Sequence, residues 1–547
     1  MRQNKFYVLG IVVIAAMAML ACPNPANAQR AVKVPPPMRS QQPVAPIKDI
    51  APKQNATANA AVAASRWTPL NNQPFFLVDG ASNPILLTDG SVLVQDTAFP
   101  DWWKLTPDST GSYVNGTWTQ VASLPNTYSP LYHSSAVLPD GRLIIEGGEY
   151  LLNVAQTEII PTWSAQGSIY DPVADVWTPV ATPTFFGGFG PFPQTIGDAQ
   201  SVILPNGTYM QADCCTKDQA LLDATTLTWT RTGKNKFDIN DEEGWNLLPN
   251  GEVLTVDAYV FKYEKNGTHS EIFNPATGAW KSAGSTIVQL WDSARDCGGF
   301  NVSTSEVGPA VLRPDGTVFY TGANSCGPGN TAIYNSLTGA WTVGPTFPDD
   351  LDIADGPAAL EPNGKVLMAA SPFFGPPGVE FFEWDGTNLA QVAGTPNAPF
   401  EPSYTLNFLV LPTGQILQTD FSNDVEIYTP GGTYEKAWTP KITSVPTFIG
   451  RGHTYELSGI LLNGLSQGAF YGDDVQAATN YPLVRLTNVN THDVIYARTH
   501  DHSSMAVASP DVVSTHFDVP LGAEPGYNTL VVVANGIPSA PMTVLIY

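Results

Sequence analysis

Basic residues are scarce in this chain of 547 residues: 25 lysines and arginines stand against 49 aspartates and glutamates, a formal charge of −24. So acidic a surface repels phosphate backbones and anionic lipid, which excludes nucleic acid and membrane surfaces as partners. Histidine is rarer still, at seven. Cysteine numbers five, with no Cys-x-x-Cys pair, so a cysteine zinc site is excluded. Helix-period apolar patterning is nearly absent, so no helical domain is expected. Long apolar runs are lacking too, apart from Phe6–Leu20, which is too short to span a bilayer.

Arg2 and Lys5 precede that run and Ala26-Asn27-Ala28 follows it, the pattern of a signal peptide over 1–28. The mature protein is therefore expected to be secreted or periplasmic, with no membrane insertion. Four cysteines then remain. Cys297 and Cys326 flank one predicted strand and are the expected disulfide. The adjacent Cys214 and Cys215 read first as buried thiols or thiols with separate partners, and second as a vicinal disulfide. Residues 29–66 are rich in Pro, Ala and Gln and poor in aromatics, and are expected to be a disordered spacer.

What the chain does have is a repeat. A hairpin signature of apolar residues, a short turn with Gly and further alternating apolar residues recurs at Gly90, Gly141, Gly207, Gly251, Gly316, Gly364 and Gly414. Most copies are followed by a strand carrying Trp: Trp118, Trp177, Trp229, Trp280 and Trp341. The last copy lacks this strand, while "RWTPL" at Arg66–Leu70 precedes the first copy as an orphan. The orphan strand is expected to complete the last unit and close a ring, removing the open sheet edge. The predicted fold is all-β: a seven-bladed β-propeller over 67–438, then an immunoglobulin-like β-sandwich over 439–547, where short alternating strands follow about ten residues apart.

Propeller, "PKIT" at the start of the last domain and "EPGYNTLVVVANGIPSAPMTVLI" at its end together resemble the galactose oxidase and glyoxal oxidase family. The resemblance implies a secreted, kelch-type copper radical oxidase of alcohols, aldehydes or carbohydrates. Its copper would be held at the propeller axis by two tyrosines and two histidines, one histidine arriving on a loop of the C-terminal domain. Tyr132 in "YHSSAVLPDG" and Tyr404 in "SYTLNFLVLPTG" match the tyrosines, and "ARTHDHSSM" offers His500 or His502 as the delivered ligand. Two departures stand out. Thr405 follows Tyr404 where the family has histidine, and "FLVDGASNPILLTDG" lacks the family's cross-linking cysteine. His133, beside Tyr132, is the expected substitute ligand, giving a metal set of Tyr132, His133, Tyr404, His500 and His502.

The position about nine residues before each turn glycine begins the innermost strand. There the chain places Asp198, Glu242 with Glu243, Glu306 and Asp355, beside Tyr132, His133 and Tyr404. Crowded carboxylates raise one another's pKa or bind a cation, for which calcium is the candidate. Glu242 is the candidate acid, with Tyr132 and Tyr404 as catalytic partners. The alternatives to oxidation are a non-redox carbohydrate-binding or surface-interaction propeller, and a glycan lyase or hydrolase using these acids with His133. Each takes a small-molecule or carbohydrate ligand. Polar residues that merely satisfy the backbone of a water-filled channel would look the same.

Overall fold

Turn chemistry sets the repeat. Asp89 accepts hydrogen bonds from the backbone N–H of Ser91 (3.0 Å) and from its hydroxyl, while Gly90 takes φ +77°. The same carboxylate or amide cap recurs from Asp140 to the N–H of Arg142, from Asn250 to Glu252 and from Asn363 to Lys365. A short side chain that mimics a backbone turn, followed by a residue free of Cβ, folds the chain back on itself.

The computed structural model describes residues 66–76, 80–125, 128–153, 159–260, 267–292, 305–324, 326–372, 378–473 and 477–547. The expected signal peptide lies outside them, as does the spacer up to Ser65. The fold is all-β and propeller-like. Among the described residues, seven antiparallel sheets follow in chain order, six of four strands and one, the sixth in order, of five, and a small three-stranded sheet (Pro130–Leu131, Tyr150–Leu152, Ile159–Pro161) stands beside the second. The innermost strands are Ala81–Leu86, Ser134–Val137, Ser201–Ile203, Asn246–Leu247, Ala310–Leu312, Ala358–Leu360 and Asn407–Val410. Trp67–Pro69 pairs with Glu426–Tyr428, so the seventh sheet joins both ends of this region.

Inner strands are buried on both faces, as in Val366–Ala370, whereas outer strands alternate, as in Val176–Val180. The outer tryptophan explains itself here. Its ring packs under the neighbouring sheet and its indole N–H donates to that sheet. Trp177 donates to Ala122 O (2.8 Å), Trp229 to Ala181 O (2.6 Å) and Trp67 to Ala393 O (2.7 Å). Trp118 donates to Asn72 O (2.9 Å), just beyond the Trp67 strand, and so ties the first sheet to the seventh.

Residues 441–546 form a second, mostly antiparallel assembly around Leu457, Val484, Leu486, Phe517, Leu530 and Val532, with Phe448–Ile449 pairing in parallel to Met542–Ile546. It sits on the hairpin-turn end of the sheets: Thr499 N–H donates to Thr88 O (3.1 Å), His502 N–H to Pro139 O (3.0 Å) and Met505 N–H to Pro205 O (3.0 Å). One piece leaves it. Ala469–Phe470 pairs with the innermost strand of the sixth sheet, Ala358 opposite Phe470. Gln467 Oε1 accepts from Leu247 N–H (2.7 Å) on the fourth sheet. The segment therefore runs up between the inner strands.

Candidate functional site

Entry into the inner strands is kinked. Tyr132 (φ +53°), Glu242 (φ +59°) and Ser305 (φ +67°) take left-handed conformations, as does Gly197 (φ +66°). For residues with a Cβ each costs about 1–3 kcal/mol, and such strain gathers where side chains must be aimed. At this end of the sheets the kinks bring Asp198, Glu242, Glu306 and Asp355 into one another's fields.

The inserted segment completes the mouth. The ring of Tyr471 lies over Tyr132, its hydroxyl donates to Tyr404 O (2.6 Å), and its carbonyl accepts from Gly356 N–H (3.0 Å). Tyr132 also meets Tyr150 and Phe421, each with centroids 6.2 Å away. Two residues on, Asp473 brings a carboxylate to Asp198 and Glu242, so that one oxygen of each lies within 4.8 Å of the others.

Burial and like charge act together here. Glu242 is pushed well above the usual carboxylate range, first by burial and then by the charges of Glu306, Asp473 and Asp198. Glu306 is pushed well above it by burial and by Asp355, and it is hydrogen-bonded to Glu242. Asp355, hydrogen-bonded to Glu306, rises to about 7 through burial and then the charge of Asp198. Burial takes Asp198 to about 6. The run Glu242–Glu306–Asp355 is thus a hydrogen-bonded line of carboxyls, each raised above the usual carboxylate range.

Other expected residues lie elsewhere. Glu243 points outward to Lys236 Nζ (2.9 Å), which Asp257 and Glu271 also hold (2.8 Å each). Both pairs precede their strands, and the left-handed turn at Glu242 sends Glu243 away from the axis. The left-handed turn at Tyr132 does the same to His133: its Nε2 meets Gln95 Oε1 (3.0 Å), its ring meets Trp102, and burial lowers its pKa to about 4. His500 and His502 sit at the opposite end of the sheets, on the segment that touches Thr88 and Pro139. His502 is buried against Tyr481 with Nδ1 on Thr515 Oγ1 (2.9 Å), and burial lowers its pKa to about 3. The loop that reaches the axis is the one bearing Tyr471 and Asp473, not "ARTHDHSSM".

Consequently the expected copper set is not assembled. Tyr471 stacks on Tyr132 and donates to the backbone carbonyl of Tyr404, while the ring nitrogens of His133 turn to Gln95 and Ser134 and the His500–His502 segment lies at the turn end. Among the described residues, the donors gathered at the mouth are the carboxylates of Asp198, Glu242 and Asp473, an oxygen set of the kind that hard cations take.

The cysteines also differ from expectation. Cys214 and Cys215 form a disulfide with each other, which the preference for thiols missed. A Cβ on Gly197 would meet Cys214 Sγ at 2.7 Å, and an Asp241 oxygen lies within 4.8 Å of both sulfurs, so the disulfide packs against the residues that precede Asp198 and Glu242. Cys326 is disulfide-bonded, and Cys297 lies outside the described residues.

No family model matches the chain, and no curated protein matches it. Among solved structures it is similar to a fungal alcohol oxidase of the AA5 family in complex with copper, at 14% identity and a TM-score of 0.49, over 88% of this chain and 100% of that one. It is also similar to a streptogramin B lyase (9%, TM-score 0.44, over 66% and 96% of the two chains). A third is a catalytically inactive virginiamycin B lyase from Staphylococcus aureus with quinupristin (8%, TM-score 0.44, over 67% and 100%).

Proposed function

We propose that the chain is a secreted or periplasmic seven-bladed propeller (67–438) with an immunoglobulin-like domain (439–547), and that its axial mouth binds a small polar ligand of the carbohydrate class and works on it by acid–base chemistry. The observation that carries this is the hydrogen-bonded run Glu242–Glu306–Asp355 beside the stacked Tyr132 and Tyr471. Groups whose environments push their pKa values apart divide into acid and base. Glu242 and Glu306, raised well above the usual carboxylate range by burial and neighbouring charge, are the groups suited to donate a proton to a leaving oxygen. Asp198, near 6, is mostly ionised there and can accept one or steady positive charge at a sugar ring. Aromatic faces of Tyr132, Tyr471 and Phe421 suit the apolar face of a pyranose.

The test is a panel of oligosaccharides and uronic acid polymers, read by calorimetric binding and by release of reducing ends. Binding with turnover, with turnover lost in Glu242→Gln while binding survives, is the expected result. A chain that binds none of the panel, or whose activity is indifferent to Glu242→Gln, sinks the proposal.

A second reading has its own observation. Asp198 is only 7% exposed, and its Oδ1 has no hydrogen-bond partner although it faces Glu242 and Asp473. Three convergent carboxylates around an orphaned oxygen suit calcium. Calorimetry with calcium on the chain and on Asp198→Asn decides it: no heat in the native chain removes the ion.

A further inference from the structure

The motif "THDHS" finds a different use at the other end of the molecule. His500 closes the strand Val494–His500, and His516 lies directly opposite it on Val512–Asp518. Cross-strand partners hold their Cβ atoms about 5 Å apart, so the two imidazoles lean together, with centroids 5.7 Å apart and planes 22° from parallel. Asp501 then takes φ +51° and folds its carboxylate back over both rings. Asp501 Oδ2 is 2.8 Å from His500 Nδ1 and 3.8 Å from His516 Nδ1. One ligand atom from each of the three residues lies within 4.8 Å of the others.

Two details go beyond proximity. His516 Nδ1 is sealed from solvent yet makes no hydrogen bond, its nearest acid being too far for one. That gap is one a metal ion fills, since two metal–ligand bonds of about 2.1 Å span up to about 4.2 Å. His500, meanwhile, turns its other nitrogen, Nε2, to Asp518 Oδ1 (3.3 Å), and Thr454 Oγ1 steadies that carboxylate at 2.6 Å. A carboxylate behind the second ring nitrogen is the usual orienting partner of a metal-bound histidine.

The geometry points to a transition-metal site, of the zinc class, formed by His500 Nδ1, His516 Nδ1 and Asp501 Oδ2, with Asp518 as the positioning residue and a fourth position open to solvent. Imidazole and carboxylate donors suit zinc, nickel or copper(II) over calcium or magnesium. The site is distinct from the axial mouth. It stands where Arg498, two residues along the same strand, donates to Asp140 O (2.8 Å) on the second sheet's turn. An ion there would clamp the end of the strand pair that docks the C-terminal domain.

Zinc is titrated into the full mature chain by calorimetry, and cobalt(II) is added separately to read its visible absorption. One equivalent of zinc and a low-coordinate cobalt spectrum are expected. His516→Ala, at a half-buried position, and Asp501→Asn, at an exposed one, are expected to weaken zinc at least tenfold, with folding of each variant checked by circular dichroism. Zinc is also expected to raise Tm in the native chain but not in these variants, while Glu242→Gln behaves as native. Absence of zinc binding by the native chain overturns the assignment, and so does binding unchanged in a folded His516→Ala.

Discussion

The ring of Tyr471 lies over that of Tyr132, with centroids 6.0 Å apart and planes inclined by 26°. One ring belongs to the C-terminal region and the other to the second sheet, so the mouth is assembled from chain segments more than three hundred residues apart. Tyr471 is the residue on which both regions depend. Tyr471→Phe loses the hydrogen bond to Tyr404 O and is expected to cost about 1 kcal/mol in denaturant unfolding. Tyr471→Ala removes the buried ring as well and is expected to cost about 3 kcal/mol or more, with loss of ligand binding. Equal effects from the two variants would mean that the ring contact contributes nothing.

Stability is expected to fall as pH rises from 6.5 to 8. Asp355 (about 7), Glu306 and Glu242 all have folded pKa values raised above their unfolded ones. The folded state therefore holds more protons than the unfolded state above about pH 4, and each such group costs stability until pH passes its folded pKa. Buried His133 (about 4) and His502 (about 3) act oppositely, but only below about 6.5, where the unfolded imidazoles take up protons. Denaturant midpoints at pH 6.5, 7 and 8 check this, and Glu306→Gln is expected to flatten the slope.

Lys236 is enclosed by Glu243, Asp257 and Glu271, with its ammonium against the ring of Trp280. Removing one member of a buried ion cluster strands the rest. Lys236→Met is expected to cost about 3–5 kcal/mol, measured by chemical denaturation at pH 7. The loss should shrink on acidification, as the three carboxyls take up protons.

Trp67 is buried on the strand that closes the seventh sheet. Trp67→Ala is expected to cost about 3–5 kcal/mol and to promote aggregation through the freed edge of Glu426–Tyr428, readable by light scattering.

Much of this was legible in the sequence because it is local. The Asx-Gly turns, the alternation on either side and the outer tryptophans announce seven hairpin units, and counting nine residues back from each turn finds Asp198, Glu242, Asp355 and Tyr132. Which of two neighbours faces inward was not legible. Left-handed kinks at Tyr132 and Glu242 reset the alternation, so Glu243 and His133 are turned away. Nor does a sequence tell which loop of the last domain reaches the axis. "ARTHDHSSM" holds two of the seven histidines, but it terminates a strand on the turn side. "GAFYGDD" carried the aromatic and the acids in plain view, yet only the pairing of Phe470 with Ala358 explains why it climbs.

That climb has a topological consequence. The segment that leaves the C-terminal domain enters between the inner strands from the turn end, and the chain returns there, where Tyr481 donates to Leu86 O. The inserted segment therefore occupies the space between the inner strands on the turn side. A version of the chain cut before residue 441 would lose that segment, and with it Tyr471 and Asp473 from the mouth.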